Sequence, residues 1–270
     1  MKKNYKYDVV IIGGLGHIGL PLGIVFASKG LNVCLNDVNK DVAKTVKKGK
    51  MPYVEYGAEP LLQEVLTNGK LVVSLETQCI SDAKYVIIAI GTPVDEYLNP
   101  KTRQFLEFIK DIKQHLDPGQ VIIVRSSVFP KSLNQIMSIL GNDKEWHLAY
   151  CPERIVQGFA IQELETLPQI VSGFSDYAIE QSENLFVKIT NKIIKTSMGE
   201  AELAKLFSNS WRYIQFAIAN QFYMISESHG EDYHRIRDIM IDGYDRTKGL
   251  PSAGFAAGPC LLKDTMQLSA

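Results

Sequence analysis

The 270-residue chain has only four cysteines, Cys34, Cys79, Cys151 and Cys260, widely spaced and without a Cys-x-x-Cys pair. That scarcity excludes a disulfide framework and a cysteine-based zinc site, so reduced thiols are expected. The five histidines, His17, His115, His147, His229 and His234, form no recognisable ligand set, and no metal is expected. An excess of charge of one sign is also missing: the formal net charge of -1 argues against a polyanion-binding surface and a nucleic-acid partner. No apolar run approaches the roughly 18 residues that span a bilayer, and Met1 to Tyr7 leads into a strand without a signal-peptide core. A cytoplasmic protein with no membrane partner is therefore expected. There is no internal repeat or low-complexity segment. What is present, 46% hydrophobic and 22% charged residues, is the composition of a globular protein of one large domain or two modest ones.

Short β-rich runs alternate with helical patterns at Asp8 to Ile12, Val33 to Asp37, Leu71 to Ser74, Tyr85 to Ile90 and Val121 to Val124. Further runs follow at His147 to Tyr150, Ile170 to Gly173 and Ile193 to Thr196. The alternation predicts an α/β fold, a Rossmann-like doubly wound parallel sheet over residues 1–199. The pattern then changes. From Glu200 to about Glu227, apolar Leu203, Leu206, Phe207, Trp211, Ile214, Ile218, Phe222 and Ile225 recur at three- and four-residue spacings. They predict a helix of about 28 residues, some 40 Å long at 1.5 Å per residue. It opens a small helical domain, 200–270, and serves either as a connector and dimer interface or as a single core helix.

Gly14-x-Gly16-x-x-Gly19 lies between a strand and the helical run Leu20 to Ser28. The first glycine is expected to permit the tight turn, the second close approach of a pyrophosphate, and the third helix-to-strand packing. Leu15, His17 and Ile18 complete this loop, and the helix N-terminus faces the phosphates. Asp37, about 20 residues downstream, can accept hydrogen bonds from an adenosine ribose and would repel a 2′-phosphate, so NAD is favoured over NADP. Gly91-Thr92-Pro93, Arg125-Ser126-Ser127 and Cys151-Pro152-Glu153-Arg154 follow other strands at the same sheet edge. Together they would surround a nicotinamide with hydroxyls and one carboxylate.

Near the other end, Gly254-Phe-Ala-Ala-Gly-Pro-Cys-Leu-Leu-Lys-Asp264 puts Cys260 on a glycine-rich turn and Asp264 four residues beyond it, on the same face of a helix. The first N–H groups of that helix would favour a thiolate. The residues alone leave two readings, a reacting thiol or a packed structural cysteine.

In order, Gly-Leu-Gly-His-Ile-Gly-Leu-Pro-Leu22, Gly91-Thr-Pro, Ser126-Ser-Val-Phe-Pro130, Pro152-Glu-Arg, Ala201-Glu-Leu-Ala-Lys-Leu-Phe-Ser-Asn209 and Gly258-Pro-Cys-Leu-Leu-Lys-Asp264 resemble the nucleotide-sugar 6-dehydrogenases, over almost the whole chain. The resemblance implies NAD-dependent, four-electron oxidation of a sugar C6 alcohol to a carboxylate, in surface polysaccharide biosynthesis. It implies that Lys205 and Asn209 hold the developing alkoxide, with Asp264 and a bound water as the base. Ser127 stands where the family has a threonine, keeping the hydroxyl and losing a methyl. Cys260 would add to the aldehyde to give a thiohemiacetal and then a thioester, and Glu153 would be general base for the hydrolytic water. Where some members carry a second glutamate, this chain has Gln157, so that role is not transferred. Gly258 and Arg154 would line the substrate site, and Pro-Glu-Arg looks most like the UDP-N-acetylmannosamine branch. UDP-N-acetylglucosamine, UDP-glucose and GDP-mannose are the alternative substrates.

Arg246 resembles the arginine that reaches a neighbouring subunit's site, which would make a homodimer functional; otherwise it is a solvated loop residue. Lys263 either approaches the cofactor or lies on the surface. Family members continue into a C-terminal UDP-binding domain that this chain lacks. The expectation is a chain that binds NAD and dimerises but turns over nucleotide sugars poorly alone. Two other readings stay open: a β-hydroxyacid dehydrogenase, which leaves the Cys260 segment unexplained, and a catalytically silent NAD-binding dimerisation module.

Overall fold

The computed structural model describes residues 5–92, 94–96, 101–141, 145–255 and 259–269. They fold as two compact units, one of residues 1–93 and 101–203, the other of 94–100 and 204–270.

The first unit is built on β1 (Tyr7–Ile12), β2 (Val33–Asn36), β3 (Leu71–Ser74), β4 (Ala83–Ile88), β5 (Val121–Val124), β6 (His147–Tyr150), β7 (Gln169–Gly173) and β8 (Ile193–Lys195). They form one sheet in the order β3-β2-β1-β4-β5-β6-β7-β8. The strands are apolar because both faces are covered. Val9, Ile11, Leu35, Ile87, Ile123 and Ala149 pack on one side with α1 (Gly19–Ser28), α3 (Ala58–Thr67), α6 (Ala160–Thr166) and α7 (Asp176–Phe186). Val10, Ile12, Val86, Ile88, Ile122, Val124 and Leu148 face the other way, onto α4 (Thr102–Lys113) and α5 (Ser132–Leu140). A further helix, α2 (Lys40–Lys47), follows β2.

Parallel register aligns Ile12 with Asn36 and Ile88, Ile88 with Val124, and Val124 with Tyr150. The carboxyl ends of β2, β1, β4, β5 and β6 are therefore level. Strand order reverses between β1 and β4, which opens the crevice where α/β sheets of this topology bind ligands.

The observed sheet departs from the expected parallel one at β7, which pairs antiparallel to β6. The chain leaves β6 at its carboxyl end, makes α6, and re-enters the sheet from that same end, so β7 must run in the opposite direction. β8 is again parallel to β7. Three expected strands also end early, at Asn36 rather than Asp37, at Ile88 rather than Ile90 and at Lys195 rather than Thr196.

A 31-residue helix, α8 (Met198–Ser228), begins in the first unit and continues into the second. It is about 46 Å long. In the second unit it is joined by α9 (Tyr233–Ile241) and α10 (Pro259–Ser269), with Leu206, Ala219, Tyr233 and Leu261 buried there. Of the apolar residues expected on the long helix, Leu206 is in the core, whereas Leu203, Phe207, Trp211, Ile214, Ile218, Phe222 and Ile225 are exposed.

Candidate functional site

The glycine loop divides its labour differently from the sequence expectation. The left-handed turn falls on Gly13, at φ 77°, outside the Gly14, Gly16, Gly19 set. Gly14 is needed for room instead, because a Cβ there would lie 2.7 Å from Ile11 O and 2.8 Å from Leu35 Cα. At Gly19 a Cβ would lie 2.8 Å from Gly14 Cα, which explains why α1 can start so close to the loop. Gly16 differs: a Cβ there would meet only Gly13 O, at 3.4 Å among the described residues. The space above Gly16 is thus open to a ligand, and no side chain caps α1 at Ile18. Both features suit a dinucleotide diphosphate on a helix N-terminus.

Asp37 lies just past β2, and its carboxylate is already oriented. Oδ2 accepts from Leu15 N at 3.0 Å, and Oδ1 accepts from Asn39 N at 3.0 Å. It holds the glycine loop while keeping lone pairs for ribose hydroxyls. One neighbour, Tyr53, escaped the sequence reading. The Tyr53 hydroxyl donates to Gly16 O at 2.9 Å, and the Tyr53 ring stacks on exposed His17 with centroids 4.0 Å apart.

Along the same sheet edge, Thr92 follows β4 and Ser126-Ser127 follow β5. Ser126 is buried and donates to Ile90 O at 2.6 Å, so half-buried Ser127 is the hydroxyl of that pair nearer solvent.

Beyond β6, Glu153 is not an exposed carboxylate. Its Oε1 accepts from Arg154 N at 2.7 Å and Ile155 N at 3.1 Å, while Oε2 pairs with the guanidinium of Arg125. Arg125 is 1% exposed and also donates to Cys151 O at 3.2 Å and Gln169 Oε1 at 2.8 Å. Burial pushes its pKa down to about 10, which still leaves it charged at neutral pH. Arg154 donates to Pro168 O. Burial also pushes the neighbouring Cys151 thiol up to about 12, so it is protonated and inert at neutral pH.

In the second unit, Asn209 and Asp264, 55 residues apart in sequence, are both buried and joined by a 2.6 Å hydrogen bond from Nδ2 to Oδ2. Lys263 Nζ lies 3.2 Å from Asp264 Oδ1 with its side chain 12% exposed, which rules out the surface alternative for this residue. Lys205 is half-buried one helical turn before Asn209. Asn209, Asp264 and Lys263 offer an amide, a carboxylate and an ammonium group, a set that can hold an oxygen on which negative charge develops. Cys260 is the second residue of α10. Its side chain and Gly258 lie outside the described residues. Arg246 is exposed and donates to the Tyr244 hydroxyl at 3.1 Å, with its guanidinium over the Tyr244 ring. Among the described residues no group of histidine, cysteine and acidic side chains can hold a metal, and no helix is long and apolar enough to cross a membrane.

Known proteins share this architecture and its order. The UDP-N-acetyl-D-mannosamine dehydrogenase of Pyrococcus horikoshii is 28% identical over 263 residues, covering 94% of this chain and 62% of that protein. The enzyme of the same name from Methanococcus aeolicus is 30% identical over 230 residues, covering 83% and 52%. The solved structure of the Pyrococcus horikoshii UDP-D-ManNAc dehydrogenase superposes with a TM-score of 0.86 at 27% identity, over 96% of this chain and 63% of that one. The chain thus spans less than two-thirds of the length of these relatives. Residues 8–193 match the NAD binding domain and residues 199–270 the central domain of one family. Those two matches take in the glycine loop, Asp37 and the Asn209–Asp264 pair, and with them the chain belongs to the UDP-glucose/GDP-mannose dehydrogenase family of NAD-using nucleotide-sugar dehydrogenases.

Proposed function

We propose that the chain carries the cofactor domain and the reacting cysteine of a dehydrogenase that oxidises the C6 alcohol of a UDP-sugar to a carboxylate. UDP-N-acetylmannosamine is the favoured substrate, after the relatives' names and the Pro152-Glu-Arg154 segment. The buried contact of Asn209 with Asp264 carries this reading, since it ties the long helix to the helix that bears Cys260. When bound, NAD supplies the hydride acceptor for each oxidation.

Gly14 to Gly19 and Asp37 would hold the dinucleotide, with Thr92 and Ser127 toward its reactive end. Asp264, through a water, takes the hydroxyl proton, while Lys205 and Asn209 hold the oxygen as charge develops on it. Lys263 is the cation beside the Asp264 carboxylate, 3.2 Å from Oδ1. The Cys260 thiolate then adds to the aldehyde carbon, and the resulting hemithioacetal is what the second oxidation converts to a thioester. Water cleaves that ester and returns the thiol.

Glu153 is reassigned from the hydrolytic base to a positioning role. Its carboxylate is engaged by Arg125 and two backbone N–H groups, contacts that fix the turn from which Arg154 would reach the sugar nucleotide. Two copies would pair through the exposed apolar stripe of α8 from Leu203 to Ile225, with Arg246 reaching the neighbouring site.

The test is to incubate the chain with NAD and UDP-N-acetylmannosamine, UDP-N-acetylglucosamine, UDP-glucose or GDP-mannose, with and without a supplied C-terminal domain from a relative. A four-electron oxidation gives two NADH for each sugar consumed, and Cys260→Ser is expected to lose the second. No NADH from any of the four, in either arrangement, overturns the proposal.

A further inference from the structure

Between α2 and α3 the chain runs over the edge of the first unit, and two of its residues grip different parts of the cofactor side. Tyr53 is bound to Gly16 O through its hydroxyl and to His17 through its ring, as described above. Val54, next in sequence, is exposed. Glu55 turns back inward and is 7% exposed. Its Oε2 accepts from Gly158 N at 3.0 Å and its Oε1 from Ala160 N at 2.6 Å, across more than 100 residues of sequence. Tyr56 N adds a bond to Gly158 O at 2.9 Å, and the Tyr56 and Phe159 rings lie 5.3 Å apart.

The segment held by Glu55 continues directly from the Glu153–Arg154 turn. Five of its backbone donors are taken by carboxylates, while Phe159 N donates to Val156 O at 3.1 Å. Glu153 accepts from Arg154 and Ile155, Glu163 from Val156 at 2.6 Å, and Glu55 from Gly158 and Ala160. Glu153 and Glu163 belong to the turn's own neighbourhood. Glu55 alone of the three comes from the cofactor side. A buried carboxylate is tolerated where hydrogen bonds replace its water, and here they are backbone donors whose positions define the turn.

We propose that Tyr53-Val54-Glu55 is a strap that couples occupancy of the glycine loop to the placement of the Glu153–Arg154 turn, with Tyr53 and Glu55 as positioning residues. A diphosphate seated above Gly16 orders the loop that Tyr53 holds by its carbonyl and its histidine. Two residues of chain then transmit that order to the Gly158 and Ala160 amides. Coupling of this kind is reciprocal, so fixing the turn also favours the cofactor-bound loop. The inference rests on NAD binding at the glycine loop, and the experiment reads that binding separately.

Amide hydrogen exchange of the 270-residue chain, with and without saturating NAD, tests it. In the unaltered chain NAD is expected to slow exchange at residues 13–19 and, by roughly five- to tenfold, at residues 155–160. Tyr53→Phe removes the bond to Gly16 while keeping the ring stack. It should still bind NAD and still protect 13–19, yet lose the NAD-dependent protection at 155–160. Glu55→Gln should do the same, and Tyr53→Phe keeps the test decisive where that buried change impairs folding. Protection at 13–19 without protection at 155–160 in the unaltered chain overturns the strap, as does protection at 155–160 that survives Tyr53→Phe. Absence of NAD-dependent protection at 13–19 overturns the cofactor placement itself, and the strap with it.

Discussion

The guanidinium of Arg125, the first residue after β5, is buried against the carboxylate of Glu153, the third residue after β6. Each charge is tolerable there because the other is present. Arg125→Met removes the cation and strands a buried carboxylate, which is expected to cost about 3–5 kcal/mol in urea unfolding. Arg125→Met combined with Glu153→Gln removes both charges and should recover a large part of that loss. Equal destabilisation by the single and double variants would show that packing, not charge compensation, sets the cost.

Asp37 holds the glycine loop with one carboxylate, accepting from Leu15 N and Asn39 N, and in the proposed cofactor site it would also meet the ribose. In that proposed site its negative charge would disfavour a 2′-phosphate. Asp37→Ser retains a short hydrogen-bonding side chain and removes the charge. The expected result is weaker NAD binding together with a preference for NAD over NADP reduced by roughly tenfold or more, read from the two Kd values by fluorescence titration. An unchanged preference would remove Asp37 from cofactor selection.

The contrast between these two sites shows what a sequence can reveal. The glycine loop and Asp37 are legible because their meaning is local: glycine spacing after a strand, and an acid at the end of the next one. Even there, the positive φ belongs to Gly13, since spacing alone does not say which of the adjacent Gly13 and Gly14 turns the chain. Lys205 and Asn209 are legible as a helical i, i+4 pair. The partners of Glu153, Asn209 and Glu55 are not, because periodicity reports neighbours on one element. Asn209 meets Asp264 across 55 residues, and Glu55 meets Gly158 across 103. The reversal of β7 is hidden for the same reason: its apolar residues look alike in either direction.

Asn209 gives Asp264 a neutral hydrogen-bond donor inside the second unit. Asn209→Ala leaves that buried carboxylate without its amide and is expected to cost about 1–3 kcal/mol. Asn209→Asp is the sharper variant, because two carboxylates at that spacing cannot both ionise cheaply. One of them then has a folded-state pKa above its unfolded value. Its penalty should be small in acid and grow as pH rises through that value toward neutrality. Chemical denaturation from pH 4 to pH 8 checks this, and a penalty independent of pH would place the amide away from the carboxylate.

Cys151 gives the first unit an alkaline limit. Burial is the main cause that raises its thiol from 9.0 to about 12, with Arg125 opposing the rise. Between those two values the unfolded chain releases the thiol proton while the folded chain keeps it. The folded state then binds more protons than the unfolded state, so stability must fall as pH rises through this window. Cys151→Ala removes the group that titrates, at the cost of a small cavity beside Arg125. Measured by urea unfolding from pH 8 to pH 11, the unaltered chain should lose stability faster than Cys151→Ala, the two curves converging or crossing toward the alkaline end. Parallel curves would mean that the thiol ionises as readily in the folded chain as in the unfolded one, and that the pocket around Cys151 admits water.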